Sequence, residues 1–452
     1  MSRPDVDVER LVDEQRLGLF NLKLLVWSFL AMLADGYEIS AMAFAGPELT
    51  RSWGLAPGAL GPVLSASLIG IFAGAPLLGY VGDRFGRKSA IVAGCLVFGG
   101  ATLAMVAASD LGQLFVLRLI AGIGIGGLMP NTVSLTSELS PRRHRATLIV
   151  LMFTGITVGG GAPSLVSAWL VPEFGWPVLF WIGGVVPIAI AAGLVFALPE
   201  SVKFLARSTE RRGEVLDLAR RLRPDLTFAD DTEFRIRESA GAGGTGLAQV
   251  FAVRMRWITL LLWFCFATTL MANYFLNSWM PILFEQAGLA SEQAAFATGL
   301  YHIGGTAGGL LISVLLDRYG FAAIAVFLFV AGPAVAAIGL HAWAFPGLAA
   351  LALVAGVCVL GAQFGNNAAG GMLYPTAFRA KGLGWAFSAG RLGSVLGPLI
   401  GGVLIARRWP VSGLFAVAAL PVAAGAVGAA ILARLTWLRF GTLQIDDRRP
   451  ED

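Results

Sequence analysis

Gly79-Tyr80-Val81-Gly82-Asp83-Arg84-Phe85-Gly86-Arg87-Lys88 is a short charged turn between two long apolar runs. Its glycines let backbones turn sharply and approach closely. Asp83 is suited to the positive end of a neighbouring helix dipole. Arg84, Arg87 and Lys88 are the cations that hold such a turn on the cytoplasmic face of a membrane. A weaker copy, Asp317-Arg318-Tyr319-Gly320, follows in the second half. The offset is 317 − 83 = 234, and Gly86–Gly320, Pro141–Pro375, Arg145–Arg379 and Pro47–Pro281 share it. Five matches at one spacing identify a duplicated array.

Working outward, the chain has 452 residues, 56% of them hydrophobic and 13% charged, with a mean hydropathy of +0.74. Soluble domains carry about 25% charged residues, so the composition is that of a multispan membrane protein. Apolar runs at 21–48, 57–81, 88–108, 112–138, 147–171, 176–198, 257–286, 292–316, 321–343, 346–374, 382–406 and 411–437 are each long enough to cross a hydrocarbon core of about 30 Å. The expected fold is an all-α membrane protein of twelve transmembrane helices in two pseudo-symmetric six-helix bundles. The bundles cover residues 21–198 and 257–437, with tails at 1–20 and 438–452 and a middle loop at 199–256. Of the 33 Lys and Arg, all but Arg51, Arg407, Arg408 and the intramembrane Arg118 and Arg391 fall on the side of the two tails. The positive-inside rule puts that side in the cytoplasm.

The net charge of +5 is scattered through short loops, which argues against a nucleic-acid partner. Cys95, Cys265 and Cys358 sit in apolar runs without metal-ligand spacing, so neither metal nor cofactor is expected. The acid-bearing first tail does not read as a secretory signal. Gly122-Ile123-Gly124-Ile125-Gly126-Gly127 fits G-x-G-x-x-G, but it lies within a span rather than after a strand. Close helix packing accounts for it better. In the middle loop, Arg211, Arg212, Arg220, Arg221 and Arg223 suggest either a helix lying on anionic lipid or a solvated tether. Gly241-Ala242-Gly243-Gly244-Thr245-Gly246 reads as a flexible linker.

Ionisable groups within spans are costly and functional by default. Asp35 and Glu38 stand at i and i+3, on one face of the first span. Two acids in a low-dielectric cavity favour the protonated form and repel each other when ionised, as a proton carrier requires. An ion pair with Arg118 is the competing reading for one of them. A buried guanidinium also suits a substrate carboxylate through its bidentate fork, so Arg118 and Arg391 are both candidates for an anion. The seventh, eighth and tenth spans add Asn273, Tyr274, Asn277, Tyr301, His302, Gln363, Asn366 and Asn367. Each could orient a small ligand or simply bond helix to helix. His302 can also change charge near neutral pH.

The G-x-x-x-D-R-x-G-R-[KR] turn and its echo resemble the signature of the major facilitator superfamily. Within it, the chain resembles the aromatic acid:proton symporters over most of its length. The family-like stretches are Asp35-Gly36-Tyr37-Glu38, Met129-Pro130-Asn131 through Thr136-Ser137-Glu138-Leu139-Ser140-Pro141, and Asn273-Tyr274 through Trp279-Met280-Pro281. They continue with Tyr374-Pro375 through Arg379-Ala380-Lys381-Gly382, and with Gly390-Arg391-Leu392-Gly393-Ser394. The resemblance implies that Asp35 and Glu38 couple protons; Arg118, which can tune the acids, and His302, which can change charge, join them as candidates. It implies that Arg391 binds the acid, with Tyr37, Asn131 and the amides and Tyr274 named above around it. It also implies a cytoplasmic gate that includes Asp83, Glu138 and Arg379, to which the charged turn and the 234-residue repeat add Gly79, Arg84, Gly86, Arg87, Arg145 and Asp317 as candidates. The family usually has D-G-x-D where this chain has Glu38, which carries the carboxylate further out. Drug:proton antiporters carry G-P-x-x-G-G in the fifth span, where this chain has Gly160-Gly161-Ala162-Pro163-Ser164-Leu165. The implied function is import of a small aromatic carboxylate with protons, by a monomer in a bacterial inner membrane. An exporter, a carrier of another organic anion, and a receptor that binds without moving its ligand are the alternatives. No nucleophile–base constellation suggests an enzyme.

Overall fold

The computed structural model describes residues 5–206, 209–229, 232–235, 256–340, 344–373 and 379–440. The Gly241–Gly246 linker, Tyr374-Pro375, residues 441–452, and the side chains of Asp317 and Arg379 lie outside this description.

Among the described residues, twelve helical stretches are long and apolar enough to cross a bilayer. Lipid offers the backbone no hydrogen bonds, so each crossing must satisfy its own. The elements begin with β1 (Asp5–Asp7) and α1 (Val8–Asp13), and the first three spans are α2 (Leu19–Ser52), α3 (Gly61–Phe85) and α4 (Arg87–Met105). The fourth span is broken at Gly127 into α5 (Leu111–Gly126) and α6 (Leu128–Leu139). After α7 (Arg142–Trp169), the short α8 (Val171–Phe174) and α9 (Pro177–Ala197) come α10 (Val202–Leu205), α11 (Arg212–Leu222) and β2 (Glu233–Arg235). The second half is α12 (Arg256–Gln286), α13 (Ser291–Tyr319), α14 (Phe321–Leu340), α15 (Phe345–Leu373), α16 (Arg379–Ala406) and α17 (Val411–Phe440).

The 234-residue repeat extends to the packing. A Cβ on Gly70 would come within 2.2 Å of the Leu119 carbonyl oxygen, and one on Gly304 within 2.3 Å of that of Leu353. Gly74 approaches Ile123 as Gly308 approaches Val357, and Gly159 approaches Leu33 as Gly393 approaches Ala267. The glycine and the residue whose carbonyl it faces are both displaced by the same number of residues in every pair. Small residues that let helix backbones touch hold membrane helices together where lipid removes the hydrophobic drive. The glycine run in the fourth span serves the same end: Gly124 faces the Gly94 carbonyl and Gly127 faces Leu78.

By packing, the chain forms two units whose boundaries cut across several spans. The first comprises residues 1–38, 69–159 and 180–240. Its membrane part ends in an ordered cap built from the first tail and the middle loop. β1 pairs in parallel with β2. The Asp7 side chain accepts from the Glu9 amide at 2.8 Å and caps α1. Glu9 bonds Lys203 at 2.8 Å, and Asp13 accepts from the Arg142 amide at 3.0 Å. Gln15 donates to the Leu139 carbonyl at 3.0 Å. The apolar side chains Val215, Leu218, Ala219 and Leu222 of α11 are buried, and α11 packs on α1 and α10. Arg211 stacks on Phe204, while Arg223 binds Asp225 and Glu14. Both readings of the middle loop are therefore corrected over α11: its apolar face covers protein rather than lipid, and it is docked rather than a free tether.

The second unit comprises residues 39–68, 160–179 and 241–452. In it α12 packs on α16, α13 on α15, and α14 on α17. The far ends of α2, α3 and α7 belong to it as well. Gly58, at φ +81°, sits with its α-carbon so close to the Gly402 carbonyl that a Cβ would fall 2.1 Å away. Ser65 donates to the Val395 carbonyl at 3.2 Å. Trp53 meets Trp176 edge to face at 5.8 Å.

Candidate functional site

In the first unit, Glu38 of α2 is fully buried and Asp35, one turn earlier, is 4% exposed. Arg118 of α5 donates to Glu38 Oε1 at 2.5 Å and to the Glu38 carbonyl at 3.0 Å. Thr102 of α4 donates to the other carboxylate oxygen at 3.1 Å. Both oxygens of Glu38 are thus occupied, and Arg118 is itself 1% exposed. The ion pair weighed as a competing reading for the two acids is present, and it takes Glu38. The Tyr37 ring packs beside Gly183, where a Cβ would come within 3.0 Å of it.

In the second unit, a chain of side chains joins three spans. Tyr301 of α13 donates to Asn273 Oδ1 at 2.7 Å, and Asn273 of α12 donates to Gln363 Oε1 of α15 at 2.6 Å. Asn366 donates to Thr269 at 3.2 Å. Asn277 accepts from Ser40 at 3.2 Å. His302 is buried edge to face on Tyr301, and its Nδ1 would lie 2.7 Å from a Cβ placed on Gly160. Its Nε2 has no hydrogen-bond partner among the described residues. Tyr274 is buried and Asn367 half-buried. Arg391 of α16 is half-buried; Ser394 donates to its backbone carbonyl at 2.7 Å, and no described residue makes an ion pair or hydrogen bond with its guanidinium.

Asn131 of α6 is buried. Its amide donates to the backbone carbonyls of Leu78 at 3.1 Å and Gly127 at 2.7 Å, and its Oδ1 sits beneath Gly82. These bonds make it a tie between α3 and α6 near the charged turn.

At that turn, Arg87 pairs with Asp83 at 2.6 Å, and Arg84 donates to Tyr80 at 2.7 Å. Gly86 adopts φ +105°, and a Cβ there would lie 2.1 Å from Glu200 Oε2. Glu200 Oε1 accepts from the amides of Lys88, at 3.1 Å, and Ser201, at 2.8 Å. Glu138 accepts from Ser201, and Arg145 donates to the Ser140 carbonyl at 3.3 Å. Gly79 faces open space, so no close approach explains it. Asp317 lies in the last turn of α13 and Arg379 starts α16.

Sequence reasoning missed Thr102 and Glu200. A hydroxyl in an apolar run carries no signal for Thr102. Glu200 is the first acid after a long apolar span and follows Pro199, a position from which it can cap the free amides opening α4.

The Major Facilitator Superfamily profile matches residues 28–372 and 262–442. A 4-hydroxybenzoate transporter, PcaK, of Pseudomonas putida is 35% identical over 425 residues, covering 94% of this chain and 95% of the relative. A gallate transporter of the same organism is 35% identical over 429 residues, covering 95% of each. Among solved structures, a D-xylose-proton symporter matches with a TM-score of 0.67 at 17% identity, over 91% of this chain and 97% of the other. An inward-facing bacterial homologue of the lysosomal transporter Spinster matches with the same TM-score over 94% and 97%.

Proposed function

We propose that this chain, which belongs to the Major Facilitator Superfamily, imports a small aromatic carboxylate together with protons across a bacterial inner membrane. Its relatives are transporters of hydroxybenzoate and gallate, and it is a transport protein rather than an enzyme. The observation that carries the coupling is the buried Glu38–Arg118 pair with Asp35 one turn away. Carboxyl groups are kept inside a membrane at a cost, and proton relays are their common use. Asp35 takes and releases the proton, and Glu38 and Arg118 set the field around it.

Arg391 receives the substrate carboxylate. It is an intramembrane cation that no described protein acid neutralises, and a guanidinium holds a carboxylate by two parallel bonds. The Tyr301–Asn273–Gln363 chain pre-orients amides, and Asn277, Asn366 and His302 supply further polar atoms for ring hydroxyls. Gly86, Asp83, Arg87, Glu138 and Glu200 form the cytoplasmic gate, with both termini on that side by the distribution of cations. Transport proceeds by alternating access, one monomer at a time.

Counterflow tests this reading. Proteoliposomes preloaded with 4-hydroxybenzoate or gallate should take up labelled 4-hydroxybenzoate transiently, and preloading with a non-aromatic carboxylate should not support it. Exchange with every organic anion alike would favour a general anion carrier.

A further inference from the structure

At the end of the spans far from the tails, Arg51 closes α2 and Glu285 lies in the last turn of α12. Arg51 Nη1 and Glu285 Oε2 are 2.8 Å apart. The second guanidinium nitrogen holds Glu48 at 2.8 Å and reaches Ser291 at 3.4 Å. Arg51 and Glu285 are separated by 234 residues, the offset of the sequence repeat itself. They therefore occupy equivalent positions in the two repeats. The halves of such a transporter are related by an axis along the membrane normal. Equivalent residues of two repeats touch each other only where they approach that axis. The pair thus marks the centre of this face, and the two repeats have diverged there into opposite charges.

The surrounding contacts have the same sense. Gly58 and Gly61 of the first repeat abut Gly402 of the second, and Ser65 bonds the Val395 carbonyl. On the other flank Ser164 packs on Gly299. All belong to one packed unit. Glycine-to-backbone contact closes this face tightly but is apolar and indifferent to charge. The Arg51–Glu285 pair is the ionic contact at its centre.

We infer that Arg51 and Glu285 form a latch that holds the outer face shut and must part each time the carrier opens outward. The assignment to the outer face rests on the orientation proposed above; the latch itself rests on the pair. Arg51 is held to its own helix by Glu48, so it stays in place when Glu285 leaves, and reclosure finds it pre-positioned. Arg51 is 51% exposed and Glu285 17%, so the pair is a weak one, as a contact broken in every cycle has to be.

The test uses the full chain with Cys95, Cys265 and Cys358 replaced by Ala and Ser65→Cys introduced as a reporter, since Ser65 is buried in the closed face. A membrane-impermeant maleimide is applied to right-side-out and to inside-out vesicles. Arg51→Ala and Glu285→Ala should each raise the labelling rate from outside by about two- to five-fold, the range of a half-exposed ion pair. The double variant should go no further than either single one. Thermal melting of each variant near that of the parent shows that the change is in opening rather than in folding. Labelling equal to the parent in both single variants, or increases that multiply in the double, would overturn the latch. A rise confined to inside-out vesicles would overturn the orientation and leave the latch standing.

Discussion

The Arg118 guanidinium and the Glu38 carboxylate meet at 2.5 Å with both side chains out of water, 1% and 0% exposed. Bringing two charges into a low-dielectric interior carries a desolvation penalty that good geometry can offset. Thr102 and the Glu38 carbonyl complete that geometry. Removing one partner leaves the other charge uncompensated. Glu38→Gln should therefore destabilise the protein by about 3–5 kcal/mol, read by thermal or denaturant melting in detergent. Glu38→Asp, which keeps the charge on a shorter stem, should lose less. Equal stability of Glu38→Gln and the parent would show that the pair carries no net energy.

Asp35 is assigned to the proton itself. Asp35→Asn should abolish accumulation driven by a pH gradient while counterflow of labelled acid persists, because exchange needs no net proton movement. Loss of both activities would make Asp35 a binding or folding residue instead.

Arg391→Lys should weaken binding of 4-hydroxybenzoate, and Arg391→Ala should weaken it further. Truncating one member of a buried charge pair typically costs about 2–5 kcal/mol. Calorimetry on both variants checks this. Wild-type affinity in Arg391→Ala would place the carboxylate elsewhere.

Much of the fold was legible because its causes are local or periodic. Apolar length gave the twelve spans, and the Asp83 and Asp317 turns gave the repeat. The Asp35–Glu38 spacing drew attention to a face of α2 that is buried. What sequence could not say was which acid Arg118 takes, because both stand one turn apart and the choice depends on how α5 packs. Nor could sequence show that the Asn131 amide binds the Leu78 and Gly127 carbonyls, because those partners come from how α3 packs on α6. The middle-loop helix was misjudged because an amphipathic stripe has the same pattern whether lipid or protein covers it. The Arg51–Glu285 pair was written in the numbering, but an isolated arginine at a span end has no reason to stand out until its partner is placed.

Gly86 occupies a region of backbone space that side chains rarely enter, and Glu200 fills the space where a Cβ would go. Gly86→Ala should cost about 1–3 kcal/mol from the backbone alone and displace Glu200 from the start of α4. Reduced melting temperature together with slowed transport is the expected outcome. Glu200→Gln, which keeps an amide-accepting oxygen, should melt closer to the parent.

The cap on the tail side depends on pH in a defined direction. The Lys203 hydrogen bond holds the Glu9 carboxyl below its usual value of 4.5, against partial burial, which pushes the other way. A carboxyl lowered on folding stabilises the folded form above the unfolded value and loses that contribution as pH falls through the folded one. Amide exchange in residues 5–15 should therefore be pH-independent in its protection above about pH 4.5, and protection should fall below it. Glu9→Gln should have the weaker protection above that range and a smaller fall below it, the two proteins converging once Glu9 is protonated in the parent.

The central claim is that uptake of an aromatic carboxylate is driven by protons. The most direct measurement is the initial rate of labelled 4-hydroxybenzoate entry into proteoliposomes, with an acidic exterior imposed and protein-free vesicles as the blank. The account predicts a rate above the blank that rises with the gradient, collapses with a protonophore and is absent in Asp35→Asn. A protein-dependent rate that is the same with and without the gradient would contradict it.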